Sequence, residues 1–319
     1  MSVLVFVETD NGAVKKSSRE AITYASKLGL GEVVAVAMGT VAESELSSLG
    51  KNGASKVLYA NDARLNDGVI QATAQLVTSA AQKIGADTVV MSKSSLVDAI
   101  ASRIAIKLGA GVATNIVALP NTSNGFVVKR GIYTGKAFAD VRLDNTKKVL
   151  TIAKNAVSIE EGGNDATIEL FNAPLNEADF SVKRIGVEKA TGTVLLPEAD
   201  RVVSGGRGLK APENWGMVEE LANLLGAATA CSKPVSDMHW RPHHEHVGQT
   251  GIKIAPTLYI AIGISGAIQH LAGVNASKVI VAINKDAEAP FFKAANYGIV
   301  GDAFEVVPKL ITALKKHLN

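Results

Sequence analysis

The chain has 319 residues, about twice a usual domain length, so two domains are expected, each able to bury its own core. Hydrophobic residues make up 47% and charged ones 20%, which excludes a disordered chain. The formal net charge of +3, without a dense Lys/Arg block, argues against a nucleic-acid or anionic-membrane partner.

In chain order, SVLVFVETD reads as a first strand and not as a signal peptide, because it has no basic leader and no small-residue cleavage site. No run of about 18 apolar residues follows that could span a bilayer, so no membrane insertion is expected. Strands VLVFVE, EVVAVAMG, SKVLYAN and DTVVMSK alternate with helices SSREAITYASKLG (17–29), VAESELSSLG, DGVIQATAQLVTSAAQKIG and SLVDAIASRIAIKLG. Continuous Val-rich strands separated by helices predict a doubly wound parallel sheet covered on both faces. After Gly109 the pattern changes. FVVKRGIYTGKAFADVRLD (126–144) alternates apolar and polar residues around glycine turns, which predicts antiparallel strands added to the sheet, followed by KVLTIAKNAV. No helical pattern is seen between 112 and 198. The polar stretch 176–200 places a domain break near residue 188, giving domains 1–188 and 189–319.

A second α/β alternation then begins: RVVSGGRGL, the helix NWGMVEELANLLG, AATACSKP, a long irregular loop through Gly251, TLYIAIG, the helix GAIQHLAG, KVIVAIN, GIVGDA and a closing helix EVVPKLITALKKHL. The fold class is α/β, with two doubly wound domains. Open α/β sheets bind ligands beyond the carboxyl ends of their strands, where this chain gathers glycines and polar residues. In GISGAIQH, Gly263, Ser265, Gly266 and Ala267 follow a buried strand and precede a helix that begins near Gln269 and His270. Glycines let backbone N–H groups approach an anion there, although a strand–Gly–helix turn is also ordinary α/β punctuation. SGGRGLK offers Arg207, a planar cation suited to phosphate or a ring, or a solvated surface arginine. CSKP offers Ser232 and Lys233, or a simple turn. VGQTG offers Gln249 and Thr250 as donors to a planar heterocycle. Asn284 ends one apolar run and Asp302 follows another; Asp302 suits a ribose hydroxyl or an N-cap equally.

The single cysteine, Cys231, allows no internal disulfide and suits a reducing compartment. His239, His243, His244 and His246 lie in a loop without helical spacing or a nearby cysteine, so no metal site is expected. No Gly-x-Ser-x-Gly elbow, Walker A loop, His-Glu-x-x-His helix or G-x-G-x-x-G fingerprint is present, which disfavours covalent, nucleotide-hydrolysing and zinc-protease chemistry.

LYIAIGISGAIQHLAGVNASKVIVAIN (258–284), preceded by SGGRGLK and VGQTG, resembles the electron transfer flavoprotein α subunit. The resemblance is specific throughout the second domain; the first fits in order of elements. It implies FAD in the C-terminal domain and a β-subunit partner that contacts the N-terminal domain and carries AMP. It also implies a non-enzymatic, cytoplasmic bacterial carrier that takes electrons from flavin dehydrogenases, such as the acyl-CoA dehydrogenases of fatty acid β-oxidation, to an acceptor such as a quinone oxidoreductase. By the same resemblance Arg207 would lie over the flavin and Ser232 by the pyrophosphate. Gln249 and Thr250 would lie beside the isoalloxazine. The run from Gly263 through Gln269 would follow the phosphates and ribityl chain, with His270 near the C2 carbonyl and Asn284 and Asp302 towards the adenosine end. Lys233 stands where many members carry Arg. Lys233 and a protonated His270 would favour negative charge on reduced flavin. Two alternatives stay open from sequence: a subunit of a bifurcating, NADH-oxidising complex, and an adenine-nucleotide-binding regulatory module built on the N-terminal domain.

Overall fold

A computed structural model describes residues 2–133, 137–186 and 196–318. The chain divides into two compact units, Met1–Val187 and Glu188–Asn319; the break expected near residue 188 itself lies outside the described residues.

The N-terminal unit begins with β1 (Ser2–Phe6), a small hairpin of β2 (Thr9–Asp10) and β3 (Ala13–Val14), α1 (Lys16–Lys27), β4 (Glu32–Met38) and α2 (Glu43–Ser47). It continues through β5 (Lys56–Ala60), α3 (Ile70–Ile84), β6 (Thr88–Ser92) and α4 (Ser95–Leu108). It ends in strands β7 (Gly111–Ile116), β8 (Val127–Ile132), β9 (Ala137–Arg142), β10 (Lys148–Ile152) and β11 (Thr167–Leu170). Their order in the sheet is β11-β5-β4-β1-β6-β10-β7-β8-β9. All neighbours are parallel except the β7–β8 and β8–β9 pairs, which form the expected antiparallel addition. Successive side chains of β1 go to opposite faces, and both faces are buried: Val3 and Val5 join one core, Leu4 and Phe6 the other. That two-sided burial explains why these strands read as unbroken apolar runs. Between 112 and 198 the described helical turns are short 3-10 segments, Glu177–Phe180 and Leu196–Glu198 among them.

The C-terminal unit comprises β12 (Arg201–Gly205), α5 (Gly216–Leu225), β13 (Ala228–Cys231), α6 (Lys233–Asp237), β14 (Leu258–Ile262), α7 (Ile268–Val274), β15 (Val279–Asn284), β16 (Tyr297–Val300) and α8 (Ala303–Leu318). The sheet is wholly parallel, in the order β13-β12-β14-β15-β16. The chain therefore builds outward from β12 to one side and then, through β14, to the other. The point of reversal lies between β12 and β14, where a doubly wound sheet opens a crevice at its carboxyl edge. Helices α5 and α8 contribute Val218, Leu221, Val307 and Ile311 to one core, with Val203, Ile260 and Ile283 of the sheet. The opposite face packs Tyr259, Ala261 and Ile280 against Val247, Ile254, Val274 and Phe291. One part of the expected loop between β13 and Gly251 is helical, the five-residue α6. About one and a half turns of chain carry too few periodic residues to signal it. Among the described residues no helix is long and apolar enough to cross a membrane.

Candidate functional site

Strand register sets the site. Cys231, Gly205, Ile262, Ile283 and Ile299 stand level across the five strands of the C-terminal sheet. One residue further on come Ser232, Gly206, Gly263, Asn284 and Val300, so three residues singled out in the sequence share a single row on the carboxyl edge. Five strands at about 4.8 Å spacing make that row about 19 Å long.

Backbone bonds tie the loops above this row into one assembly. Gly206 N–H donates to the Ile262 carbonyl at 2.8 Å and Gly208 N–H to the Gly263 carbonyl at 3.0 Å, across the point of reversal. Ser232 N–H donates to the Gly205 carbonyl at 3.1 Å, and Gln249 N–H to the Gln269 carbonyl at 2.7 Å, which brings VGQTG onto the start of α7. Phe291 N–H reaches the Ser265 carbonyl at 3.1 Å. The structure thus brings together Arg207, Ser232, Lys233, Gln249, Thr250 and the Gly263–His270 segment, which are far apart in sequence.

Within this assembly the backbone N–H groups of Ile264 through Gln269 find no acceptor among the described residues. Ser265, Ala267 and Gln269 are exposed, so these donors lie along an open edge. These six donors are free to bind an anion, the last of them being the unpaired N–H groups of the first turn of α7. Ser232 is 5% exposed and its hydroxyl caps no N–H of α6. Arg207 is exposed on a 3-10 turn, and among the described residues no carboxylate pairs with it. Lys233 is exposed and pairs with Asp237 at 3.0 Å.

Two residues expected at the adenosine end have protein partners of their own. Asn284 donates from Nδ2 to the Ile264 carbonyl at 3.0 Å and accepts from Asp286 N–H at 3.1 Å, so its side chain anchors the Gly263 loop. Asp302 accepts from Phe304 N–H at 2.9 Å as the cap of α8, and its other oxygen stands 3.9 Å from Lys210 Nζ.

His270 is buried at the start of α7. It is 7% exposed, its Nε2 is 2.8 Å from the Tyr259 hydroxyl, and Nδ1 is buried without a hydrogen-bond partner. Burial, reinforced by nearby His246, pushes its pKa down to about 4. Burial with no carboxylate beside it among the described residues favours the neutral ring over the cation that the sequence left open. Sequence reading also missed Tyr259, Ser204 and Phe291. The signal available was Tyr259 itself, a polar-headed aromatic inside the apolar run TLYIAI, whose buried hydroxyl requires a partner.

The histidine-rich loop is organised by an ion pair. Arg241 donates from Nε and Nη2 to the two oxygens of Glu245 at 2.8 and 2.6 Å, and from Nη1 to Glu219 at 2.9 Å. Its guanidinium lies 5.4 Å from the Trp215 ring centre, and Thr229 donates to Glu245 at 3.2 Å. His246 is 3% exposed and packs edge-on against His243. Among the described residues no group of three or more His, Cys, Asp or Glu side chains could hold a metal ion. Burial, with the Glu245 charge nearby, pushes the Cys231 thiol up to about 12, so it is unreactive near neutral pH. Glu245→Ala is expected to destabilise the unit by about 2–3 kcal/mol, somewhat less than a fully buried pair because Arg241 retains Glu219 and some water. A double-mutant cycle with Arg241→Ala, read by denaturant unfolding, checks this; additive losses would show that the two side chains are not coupled.

Comparison with known proteins follows the same division. Residues 3–176 match the model of the electron transfer flavoprotein domain, and residues 195–275 that of the electron transfer flavoprotein FAD-binding domain. The chain is 37% identical over 320 residues to a Bacillus subtilis electron transfer flavoprotein subunit alpha, covering 99% of this chain and 98% of that one. It is 38% identical over 320 residues to the Paracoccus denitrificans subunit, covering 97% and 99%. With the Mycobacterium tuberculosis subunit it shares 37% over 316 residues, covering 98% of each.

Proposed function

The chain belongs to the electron transfer flavoprotein α-subunit family, and on that basis we propose that it binds FAD at the carboxyl edge of its C-terminal unit and serves as an electron carrier in a heterodimer with a β subunit. In this reading flavin dehydrogenases, acyl-CoA dehydrogenases among them, supply the electrons, a quinone oxidoreductase or similar acceptor takes them, and AMP sits in the β subunit. The observation that carries the FAD reading is the run of unclaimed N–H groups from Ile264 to Gln269 on the same edge as Ser232 and Arg207.

Bound FAD would supply the redox chemistry at its ring system. The chain's own part is binding and orientation. The Ile264–Gln269 donors and the Ser232 hydroxyl fit a pyrophosphate, because backbone N–H groups favour an anion without a compensating carboxylate. Arg207 offers a planar cation for phosphate or ring, and Gln249 and Thr250 offer donors to a heterocycle from a loop held by Gln269. Lys233 supplies positive charge, shared with Asp237 until a more negative partner draws it away. Asn284 acts one step back, holding the Ile264 carbonyl.

The regulatory-module alternative meets an obstacle at the equivalent edge of the N-terminal unit, between β1 and β6. There Glu8, 9% exposed, accepts from Ser94 at 2.7 Å and pairs with Lys15 at 3.5 Å. A fixed carboxylate at the point of reversal repels a nucleotide phosphate.

Co-purification of the chain with its β partner tests the proposal by the visible spectrum and the flavin content. Stoichiometric FAD is expected; a colourless, flavin-free heterodimer that takes up no added FAD would sink it. Arg207→Ala should weaken FAD binding about tenfold, the scale of one charge-assisted hydrogen bond, measured by flavin fluorescence on titration.

A further inference from the structure

We propose that Tyr259 is a positioning residue for the flavin site: its hydroxyl donates to Nε2 of His270 and so fixes the imidazole in the neutral form with its proton on Nδ1. The 2.8 Å contact between the two side chains leaves open which of them donates, and a neutral imidazole has one proton to place. The surroundings decide it.

Tyr259 is the fully buried second residue of β14, and its ring stacks on Phe291 with centres 6.2 Å apart and planes 17° from parallel. His270 meets the same Phe291 edge-on at 5.7 Å. Both rings are thus held, and neither can turn without disturbing the core. Tyr259 stands opposite Val202 in the register, so Ser204, two residues along β12, shares its face of the sheet on the diagonal. The Ser204 hydroxyl is buried and completes no hydrogen bond, and it lies in the electrostatic surroundings of the Tyr259 hydroxyl.

Consider the two placements. With the imidazole proton on Nε2, His270 donates to the Tyr259 oxygen, the phenol proton is left without an acceptor, and Nδ1 holds a bare lone pair in a buried site. With the proton on Nδ1, Tyr259 donates to Nε2 and the phenol proton is satisfied. The Nδ1–H is then the one buried donor of the pair without a protein acceptor among the described residues. The second placement leaves one polar group of the pair unpaired, the Nδ1–H, where the first leaves two, the phenol proton and Nδ1. A phenol that burial holds firmly in its protonated state is the natural donor. The consequence is that Nδ1 is the one N–H donor His270 has to offer. Its use by the flavin rests on the reading above, whereas the tautomer is a property of the chain itself.

The test uses the heterodimer with ¹⁵N-labelled histidine in the α chain and long-range ¹H–¹⁵N correlation spectra at neutral pH, His270 being assigned by its loss in His270→Gln. The parent is expected to show the Nδ1–H pattern. Tyr259→Phe should move His270 towards the Nε2–H form and lower the flavin midpoint potential while FAD stays bound. A parent protonated on Nε2, or a Tyr259→Phe spectrum unchanged at His270, overturns the proposal. A shifted tautomer with an unchanged potential overturns the role in the flavin site. The parent spectrum decides the tautomer even where Tyr259→Phe does not fold. A heterodimer that holds no FAD would refute the functional reading separately, because the tautomer is read on the same sample.

Discussion

Gly266→Ala is expected to destabilise the C-terminal unit by about 2–5 kcal/mol, the sum of a left-handed backbone penalty and an overpacking penalty. Gly266 has φ +83°, and a Cβ built there would stand 2.4 Å from the Phe291 nitrogen and 2.6 Å from its Cα. The obstacle is main chain that itself holds a hydrogen bond to Ser265, so it cannot yield as a flexible side chain would. Gly206→Ala separates the two causes. Its backbone is extended, at φ −115° and ψ −179°, but an added Cβ would lie 2.2 Å from the Gly263 oxygen. Steric crowding alone should cost about 1–3 kcal/mol there. Gly216→Ala is the control, a helical position with nothing within 4 Å of the added carbon, where a gain of about 0.5–1 kcal/mol is expected. Denaturant unfolding, with FAD content measured beside it, checks all three. Parental stability in both Gly266→Ala and Gly206→Ala, accompanied by loss of FAD, would mean that these glycines serve the ligand's approach and not the packing of the loops.

That contrast marks what was legible in the sequence. The strands were, because burial on both faces turns each into an apolar run, and the position of GISGAIQH after such a run pointed to the carboxyl edge. The reason for its glycines was not. Gly206 and Gly208 are held against Gly263 by contacts 55 or more residues apart in sequence, and only the register of β12 on β14 brings them together. The placement of β10 between β6 and β7 is invisible for the same reason: pairing partners are chosen by the whole sheet, not by the strand's own pattern. The N-cap reading of Asp302 holds, whereas the bond from Asn284 to the Ile264 carbonyl, 20 residues away, left no local trace in the sequence. His270 was found by its position. Its neutrality came from burial, which no spacing in the sequence records.

The C-terminal unit should therefore lose stability on acidification before its carboxylates protonate. His270 has an unfolded value of 6.5 and a folded value of about 4, lowered first by burial and then by His246. The unfolded chain takes up this proton more readily than the folded one, so stability is fully present above about pH 6.5 and falls as the pH drops towards 4, below which the loss is complete. A difference of about 2.5 units corresponds to about 3 kcal/mol. His246 is shifted in the same direction, chiefly by burial, and adds to the slope. Glu20 is shifted the other way: burial raises its folded value, so its contribution improves on acidification, but it belongs to the N-terminal unit. The two units can be read apart because both tryptophans, Trp215 and Trp240, lie in the C-terminal one. Denaturant unfolding followed by tryptophan fluorescence across this pH range should show the decline in the parent and a flatter profile in His270→Gln, where an uncharged amide replaces the titrating ring. Equal slopes in the two proteins would mean that His270 gains its proton without unfolding, and that the Tyr259 and Phe291 surroundings tolerate a buried cation.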